Sequence, residues 1–309
     1  MNSQLLPGGR DVAFADIEVT LARLVRDPRQ RSRAPARALT ATVIVVGDQP
    51  QLAAAAQALE QLGEFSGVRT ILISEGEHTA PVARVTENAI AIDGLAPRYL
   101  NNAVAALRLS SLPAVVWWRG GSIDNLDDLA ELADRMILDA ADPLPGWEKA
   151  VRLFDHTALT DLRWTRLTRW RSALAHLFDL PQVRQGMAGF RRLTIEAADP
   201  FAARLYAGWL RACLRWSSDV EIEITEGPRG SGRTPLSRVH LEGANVGITA
   251  AAGDRVECLT AAVVGDDATA RLVPLGEGAL SALIGEELGV RTRDLAFERA
   301  LASALERWG

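Results

Sequence analysis

Apolar residues recur in two alternating rhythms through the first half of the chain. Thr42 to Val46 and Arg69 to Ile73 are short runs whose cores, Val43 to Val46 and Ile71 to Ile73, are continuously apolar, the pattern of strands buried on both faces. Between them Gln51 to Leu62 is Ala-rich and predicts a helix. Ala89 to Ile92 predicts an added edge strand, and Arg98 to Leu109 a helix with Leu100, Val104 and Leu107 inward. The stretch Leu112 to Gly121, LPAVVWWRGG, enters through Pro113 and stops at Arg119 and two glycines, so it predicts the central strand of a parallel sheet. Leu126 to Ala133 then predicts a helix, Arg135 to Leu138 a strand, and Trp147 to Phe154 a closing helix. Strand and helix alternating at this spacing predict a Rossmann-like α/β domain covered on both faces. Ligands of such sheets meet the carboxyl ends of the strands, which draws attention to Trp118, Arg119 and Ser122. Trp117 and Trp118 alternate in facing, and the pattern expects core filling from one of them more readily than from both.

On the amino-terminal side, residues 10 to 26 predict one amphipathic helix with Ile17, Leu21, Leu24 and Val25 on its stripe, and the Arg-rich segment Arg29 to Arg37 a solvated tether. From Leu193 the pattern changes. Leu193 to Glu196 predicts a strand, followed by an amphipathic helix with Leu205, Gly208, Trp209, Ala212, Cys213 and Trp216 in one stripe. Strands are then expected at Val220 to Ile224, Arg238 to Leu241, Val246 to Ala250, Val256 to Leu259 and Thr269 to Val273. Two helices finish the chain, carrying Leu280, Leu283, Ile284 and Leu288, then Phe297, Leu301, Leu305 and Trp308. Grouped strands with flanking helices predict a C-terminal α+β domain with an antiparallel sheet. The expected organisation is a helix and linker over 1–38, the α/β domain over 39–157, and a helical connector with the α+β domain over 158–309.

Composition narrows the function. A net charge of -5 argues against a nucleic-acid binder, and no apolar run approaches membrane-spanning length. The amino terminus lacks a basic stretch followed by an apolar run, so a cytoplasmic location is expected, with no membrane partner. Cys213 and Cys258 lie far apart within apolar patterns and are expected as buried thiols, and the histidines lack metal-ligand spacing. The turn after the first strand, Gly47-Asp48-Gln49-Pro50-Gln51, has one glycine followed by an acid and a proline. It neither clears space for a pyrophosphate nor welcomes its charge, so no nucleotide cofactor is expected. Gly227 to Thr234, GPRGSGRT, resembles a phosphate loop, but Pro235 and a strand follow, so a hairpin loop is expected. Asp124, Asn125, Asp127 and Asp128 are explained as helix capping.

Asp161 to Phe178, DLRWTRLTRWRSALAHLF, is the most informative stretch. Thr160 or Asp161 can cap it. One stripe runs Trp164, Leu167, Arg171, Leu174 and Phe178, so an arginine interrupts an apolar face and is expected to find a carboxylate, Asp134 or Asp139. The neighbouring stripe of Arg163, Arg166 and Trp170 fits a protein-binding hot spot or, equally, a covered junction between domains.

LPAVVWWRG, then LADRMILDA, then TDLRWTRLTRWRSAL, in this order and spacing, resemble the glucose-6-phosphate dehydrogenase assembly protein family, also called OpcA. The helix containing Ala207 to Leu210, the strand Ser237 to Leu241 and the helix containing Glu286 to Leu288 are similar too, so that the resemblance runs from about Leu39 to the C-terminus. It implies a non-catalytic partner that binds glucose-6-phosphate dehydrogenase, promotes its active oligomer and supports NADPH production by the oxidative pentose phosphate pathway. By matching positions it implies Trp117, Trp118, Arg119, Asp134, Arg135, Asp161, Trp164, Arg166, Trp170 and Arg171 as motif residues. Trp117, Asp134 and Trp164 are expected to be structural among these, and Arg166 and Trp170 to meet the partner. The rival class is an enzyme or sensor that binds a sugar phosphate or nucleotide in the crevice at Trp118 to Ser122 through Arg119 and the glycine amides.

Overall fold

A computed structural model describes residues 5–26, 39–62, 67–79, 81–216, 219–227, 234–253, 258–264, 269–275, 278–290 and 292–308. The Arg-rich tether and most of the GPRGSGRT stretch lie outside the described residues. The chain forms two compact units, Met1–Thr160 with Ile284–Arg293, and Asp161–Leu283 with Asp294–Gly309.

The first unit is built on an eight-stranded sheet in the order β1-β4-β5-β3-β2-β6-β7-β8. Its strands are β1 (Arg10–Ala13), β2 (Ala41–Val46), β3 (Val68–His78), β4 (Val82–Val85), β5 (Ala89–Leu95), β6 (Ala114–Trp118), β7 (Arg135–Leu138) and β8 (Ala158–Asp161), the last reaching the unit boundary. From β5 through β3, β2 and β6 to β7 every neighbouring pair is parallel. Val43 to Val46 and Ala114 to Trp118 are buried throughout, as continuous apolar runs require when helices cover both faces. The helices are α1 (Ile17–Arg26), α2 (Gln49–Leu62), α3 (Leu100–Leu107), α4 (Leu126–Leu132) and α5 (Leu144–Leu153). Connections leave β2 toward β3 on one side while β6 lies on the other, so the sheet reverses its order between β2 and β6.

Two expectations for this unit are corrected. Residues 10 to 26 do not form one helix: Arg10 to Ala13 pair antiparallel with Val82 to Val85, and only Ile17 onward is α-helical. Ile17, Leu21 and Leu24 are buried as their spacing predicts, whereas the residues before them take the hydrogen bonds of an exposed sheet edge. Nor is β5 an edge, because the unforeseen β4 pairs with it antiparallel and β1 pairs with β4.

The second unit holds a six-stranded sheet in the order β10-β9-β11-β12-β13-β14. Its strands are β9 (Phe190–Ala197), β10 (Glu221–Glu226), β11 (Leu236–Gly243), β12 (Gly247–Ala252), β13 (Cys258–Val264) and β14 (Thr269–Pro274). All neighbouring pairs are antiparallel except β9 with β10. The β10–β11 connection is therefore not a hairpin, since β9 lies between the two strands. Its helices are α6 (Leu162–Arg166), α7 (Thr168–Phe178), α8 (Pro181–Gly186), α9 (Pro200–Leu214) and α11 (Leu295–Trp308), while α10 (Leu280–Gly289) runs across the unit boundary. Leu193, Ile195, Val239, Leu241, Ile248, Ala250, Leu259 and Ala261 alternate with more exposed residues, so one face of the sheet carries the core.

Helix α9 starts at Asp199, whose Oδ1 accepts from the Phe201 and Ala202 amides, with Pro200 in the first position where no amide is needed. It ends on Arg215 in the left-handed conformation, φ 51°. Its buried positions are Ala202, Ala203, Leu205, Tyr206, Ala207, Gly208 and Leu210. The predicted stripe is thus rotated, and Cys213 falls outside it and is exposed, while Cys258 is half-buried; neither is the buried thiol expected. Gly208 faces α11, where an added Cβ would stand 2.3 Å from the Ala300 carbonyl oxygen.

Candidate functional site

The crevice outside the carboxyl ends of β2 and β6 is where a sheet of this topology presents ligands. Here the chain fills it with its own polar groups. Asp48 Oδ1 accepts from the Gln51 amide at 2.8 Å and Gln51 Oε1 accepts from the Asp48 amide at 2.9 Å, a reciprocal capping box on the amino terminus of α2. Arg119 folds over the same turn: its Nη1 donates to the Gln51 carbonyl oxygen at 2.6 Å and its Nε to Asp139 Oδ2 at 2.9 Å, and Gln51 Nε2 donates back to the Arg119 carbonyl oxygen. The space left by the missing Cβ of Gly47 is bounded by Gln51 Oε1 at 2.8 Å and Arg119 Cβ at 3.2 Å, so the glycine admits these side chains and no phosphate.

The neighbouring acids are engaged as well. Glu75, in β3 just past Ile73, the last residue paired with β2, lies near where a dinucleotide fold presents the acid that binds ribose hydroxyls, and accepts from the Ser122 amide at 2.6 Å and from Asn125 Nδ2 at 2.9 Å. Gly121, at φ 114°, packs against that carboxylate. Asp93 accepts from Ser74 Oγ at 2.6 Å and from Gln49 Nε2. A pyrophosphate here would meet Asp48, Glu75, Asp93 and Asp139 and one arginine already paired, so the residues present do not fit NAD(P), and a sugar phosphate meets the same obstacle. Among the described residues no group of three or more His, Cys, Asp or Glu side chains is placed to hold a metal.

Both tryptophans of β6 are buried, which corrects the expectation that one alone would fill core. Trp118 is 5% exposed and lies where a Cβ on Gly146 of α5 would press on its ring at 3.1 Å. Trp117 is fully buried beneath the Arg119 guanidinium, 5.0 Å from its ring centroid. The acidic cluster 124–128 does not cap α4 through its side chains: Asn125 binds Glu75 and the Pro97 carbonyl, Asp127 pairs with Lys149, and Asp128 accepts from Asn101. These contacts tie α4 to its neighbours in place of its own amides.

Asp134 accepts from the Ala114 amide at 2.8 Å, and Arg135, 4% exposed, pairs with Glu287 and donates to the Thr292 carbonyl oxygen. In the second unit, buried Asp161 caps α6 by accepting from the Arg163 amide at 2.7 Å. The predicted single helix is broken at Leu167, which closes α6 before α7 begins. Trp164 donates its indole N–H to Asp294 at 2.7 Å, and the Arg171 guanidinium lies 3.6 Å from the Trp164 ring centroid while donating to the Trp164 carbonyl and Thr168. Arg171 thus stacks on an indole, Asp139 binds Arg119, and Asp134 accepts from a backbone amide.

Trp170 is fully buried; its Nε1 donates to Thr234 Oγ1 at 2.8 Å, and its carbonyl accepts from the Tyr206 hydroxyl at 3.2 Å. A side chain with no exposed surface cannot present a hot spot, so the expectation for Trp170 is corrected to a core role, while Arg166 is half-exposed. The motif residues do not converge: Trp117, Trp118, Arg119, Asp134 and Arg135 belong to the first unit, and Asp161, Trp164, Arg166, Trp170 and Arg171 to the second. Residues not singled out from sequence for this crevice were Gln51 and Glu75, and Asp139 was named only as a partner for Arg171. The three-residue spacing of Asp48 and Gln51 could have revealed the first, whereas the others depend on which strand ends lie side by side.

Residues 157–301 match the family described as the carboxy-terminal domain of a glucose-6-phosphate dehydrogenase subunit. The protein of Synechococcus elongatus named OxPP cycle protein OpcA is 33% identical over 122 residues, 37% of this chain and 27% of that one. Its namesake in Synechocystis sp. is 27% identical over 127 residues, 38% of this chain and again 27% of the relative. The match thus spans little more than a quarter of each relative's length. Among solved structures, the Bacillus subtilis protein YvaA, assigned as an oxidoreductase, aligns over 88% of this chain and 94% of its own with a TM-score of 0.51 at 8% identity. The transcriptional regulator Gal80p of Kluyveromyces lactis aligns over 94% and 93% with a TM-score of 0.50 at 8% identity. At such identities these likenesses speak to the Rossmann-like fold alone. No helix among the described residues is long and apolar enough to cross a membrane. Residues 157–301 are thus similar to the carboxy-terminal domain of the OpcA family.

Proposed function

We propose that this chain is a non-catalytic protein that binds glucose-6-phosphate dehydrogenase, favours its active oligomer and so supports NADPH production by the oxidative pentose phosphate pathway in the cytoplasm. The observation that carries the reading is the self-closed crevice: Asp48, Gln51, Arg119 and Asp139 satisfy one another where a dinucleotide enzyme of this fold would receive its cofactor. A nucleotide-type fold without a receptive nucleotide site retains the scaffold while offering its surfaces to a partner. The family description and the names of the cyanobacterial relatives support the choice of partner. A binding protein activates an enzyme only by preferring its competent state, so complex formation and activation must rise together. With Trp170 turned inward, half-exposed Arg166 is the motif residue we assign to the partner surface.

The test is to assay glucose-6-phosphate dehydrogenase from the same cell with and without this chain, recording activity and oligomer mass together. A rise in activity with a shared complex, both weakened by Arg166→Glu in a chain that circular dichroism shows to be folded at the assay temperature, is the expected result. No complex and no change in activity would overturn the proposal.

A further inference from the structure

We propose that two copies of this chain associate face to face through the open side of the second unit's sheet, about a two-fold axis that runs across its strands. Helices cover the other side, α9 against β9 and β10 and α7 against β12, β13 and β14. On the open side the alternate residues form three rows across the sheet, and all of them keep exposed or half-exposed surface. The middle row runs from Glu223 through Thr194, His240, Thr249 and Ala262 to Ala270. On β12, β13 and β14 the rows carry only Gly, Ala, Thr, Val and Leu, with Val264 53% and Leu272 68% exposed. An uncharged sheet face of this extent is suited to being covered.

Charge decides what covers it. In one flanking row Glu196 and Arg238 sit side by side on β9 and β11, and in the other Arg192 and Glu242 occupy the same two strands. A two-fold axis along the middle row lays each flanking row over the opposite row of the second copy. Glu196 then faces Arg192 of the second copy and Arg238 faces Glu242 of the second copy, each pair twice by symmetry, while uncharged strands meet uncharged strands. An axis parallel to the strands at the centre of the sheet would instead set Arg238 and Glu242 over Ala251 and Gly247, without counter-ions. Glu223 meets its own image only on the edge strand β10, where water screens it. Arg and Glu side chains are long enough to bridge the ~10 Å between packed sheets and to accommodate their usual crossing angle of about 30°. Six strands at about 4.8 Å, with six residues at about 3.4 Å along each, give roughly 600 Å² per copy in projection, or about 1,200 Å² in all, the lower bound of a stable interface. This inference is independent of the dehydrogenase reading, since the association requires no other protein.

The experiment is sedimentation velocity of the full chain alone, from about 1 to 100 μM, where an interface of this size should show its equilibrium. The expected mass approaches twice that of one chain. Arg238→Glu and Glu242→Arg each set like charges against one another across the axis, and each variant by itself should dimerise at least ~10-fold more weakly. An equimolar mixture of the two restores opposite charges at both contacts and should regain the parent affinity within ~3-fold. Ala262→Glu, which faces its own image on the axis, should also weaken the dimer by ~10-fold or more while circular dichroism stays unchanged. A single-chain mass throughout, an undiminished dimer of Ala262→Glu, or a mixture no better than its components would overturn the proposal.

Discussion

Replacing Trp170 by alanine separates a core tryptophan from a recognition tryptophan. The indole is fully buried, so truncation removes an aromatic side chain and leaves a cavity, a loss of about 3–5 kcal/mol. Two features limit the damage to that range. Thr234 Oγ1 still donates to the Leu236 carbonyl at 2.9 Å, and the Tyr206 hydroxyl still reaches the residue 170 backbone. Trp170→Phe keeps most of the ring and forfeits the Nε1 hydrogen bond, about 1–2 kcal/mol including the smaller volume. At roughly 2–4 °C per kcal/mol for a unit of this size, the melting temperature should fall by about 6–20 °C for alanine and about 2–8 °C for phenylalanine. Scanning calorimetry reads the transitions, and dehydrogenase binding measured well below them should be unchanged for Trp170→Phe. An alanine variant that melts within about 2 °C of the parent while losing partner binding would refute the core assignment.

Gly208→Ala should destabilise although alanine favours helix by about 1 kcal/mol, because the new Cβ meets the Ala300 carbonyl oxygen at 2.3 Å and overpacking costs about 1–3 kcal/mol; a lowered urea midpoint checks the sign. Burial raises the Tyr206 pKa well above the usual phenol value, with Arg171 opposing weakly, so above about pH 10 the unfolded chain ionises this group and the native chain does not. Its contribution is therefore intact below that pH and lost as pH rises beyond it, and Tyr206→Phe should flatten the alkaline fall in stability in urea titrations across pH 9–11.5. Asp48→Ala removes one half of the capping box and should cost about 0.5–2 kcal/mol, with no rise in melting temperature on adding NADP. An NADP-dependent rise would show that the crevice is closed by this one carboxylate.

The sequence made the parallel sheet legible because stretches such as Val43 to Val46 and Ala114 to Trp118 lie between two helical layers and are apolar at every position. Short edge strands carry no such mark. Arg10 to Ala13 and Val82 to Val85 are partly exposed, and only their mutual pairing makes them strands. The Trp170 face was ambiguous for a related reason: two arginines and an aromatic at helical spacing describe a hot spot and a buried seam equally, and the break at Leu167 that turns α7 inward leaves no proline or glycine to announce it. The closed crevice was half legible, through the acid and proline after Gly47. Its other half, Arg119 folding onto Gln51 across 68 positions, is a tertiary fact.

The return of Ile284–Arg293 to the first unit sets an order of events during synthesis. Most of that sheet has been synthesised by residue 160, yet the carboxylate that neutralises Arg135 is 152 residues behind it. At about 5–20 residues per second, the arginine waits roughly 8–30 s with its burial unpaid for. A buried cation without its counter-ion opposes closure, so the first unit to be made should be the last to lock. The nascent amino-terminal half is then held open, and exposed to chaperones, until the chain is nearly complete.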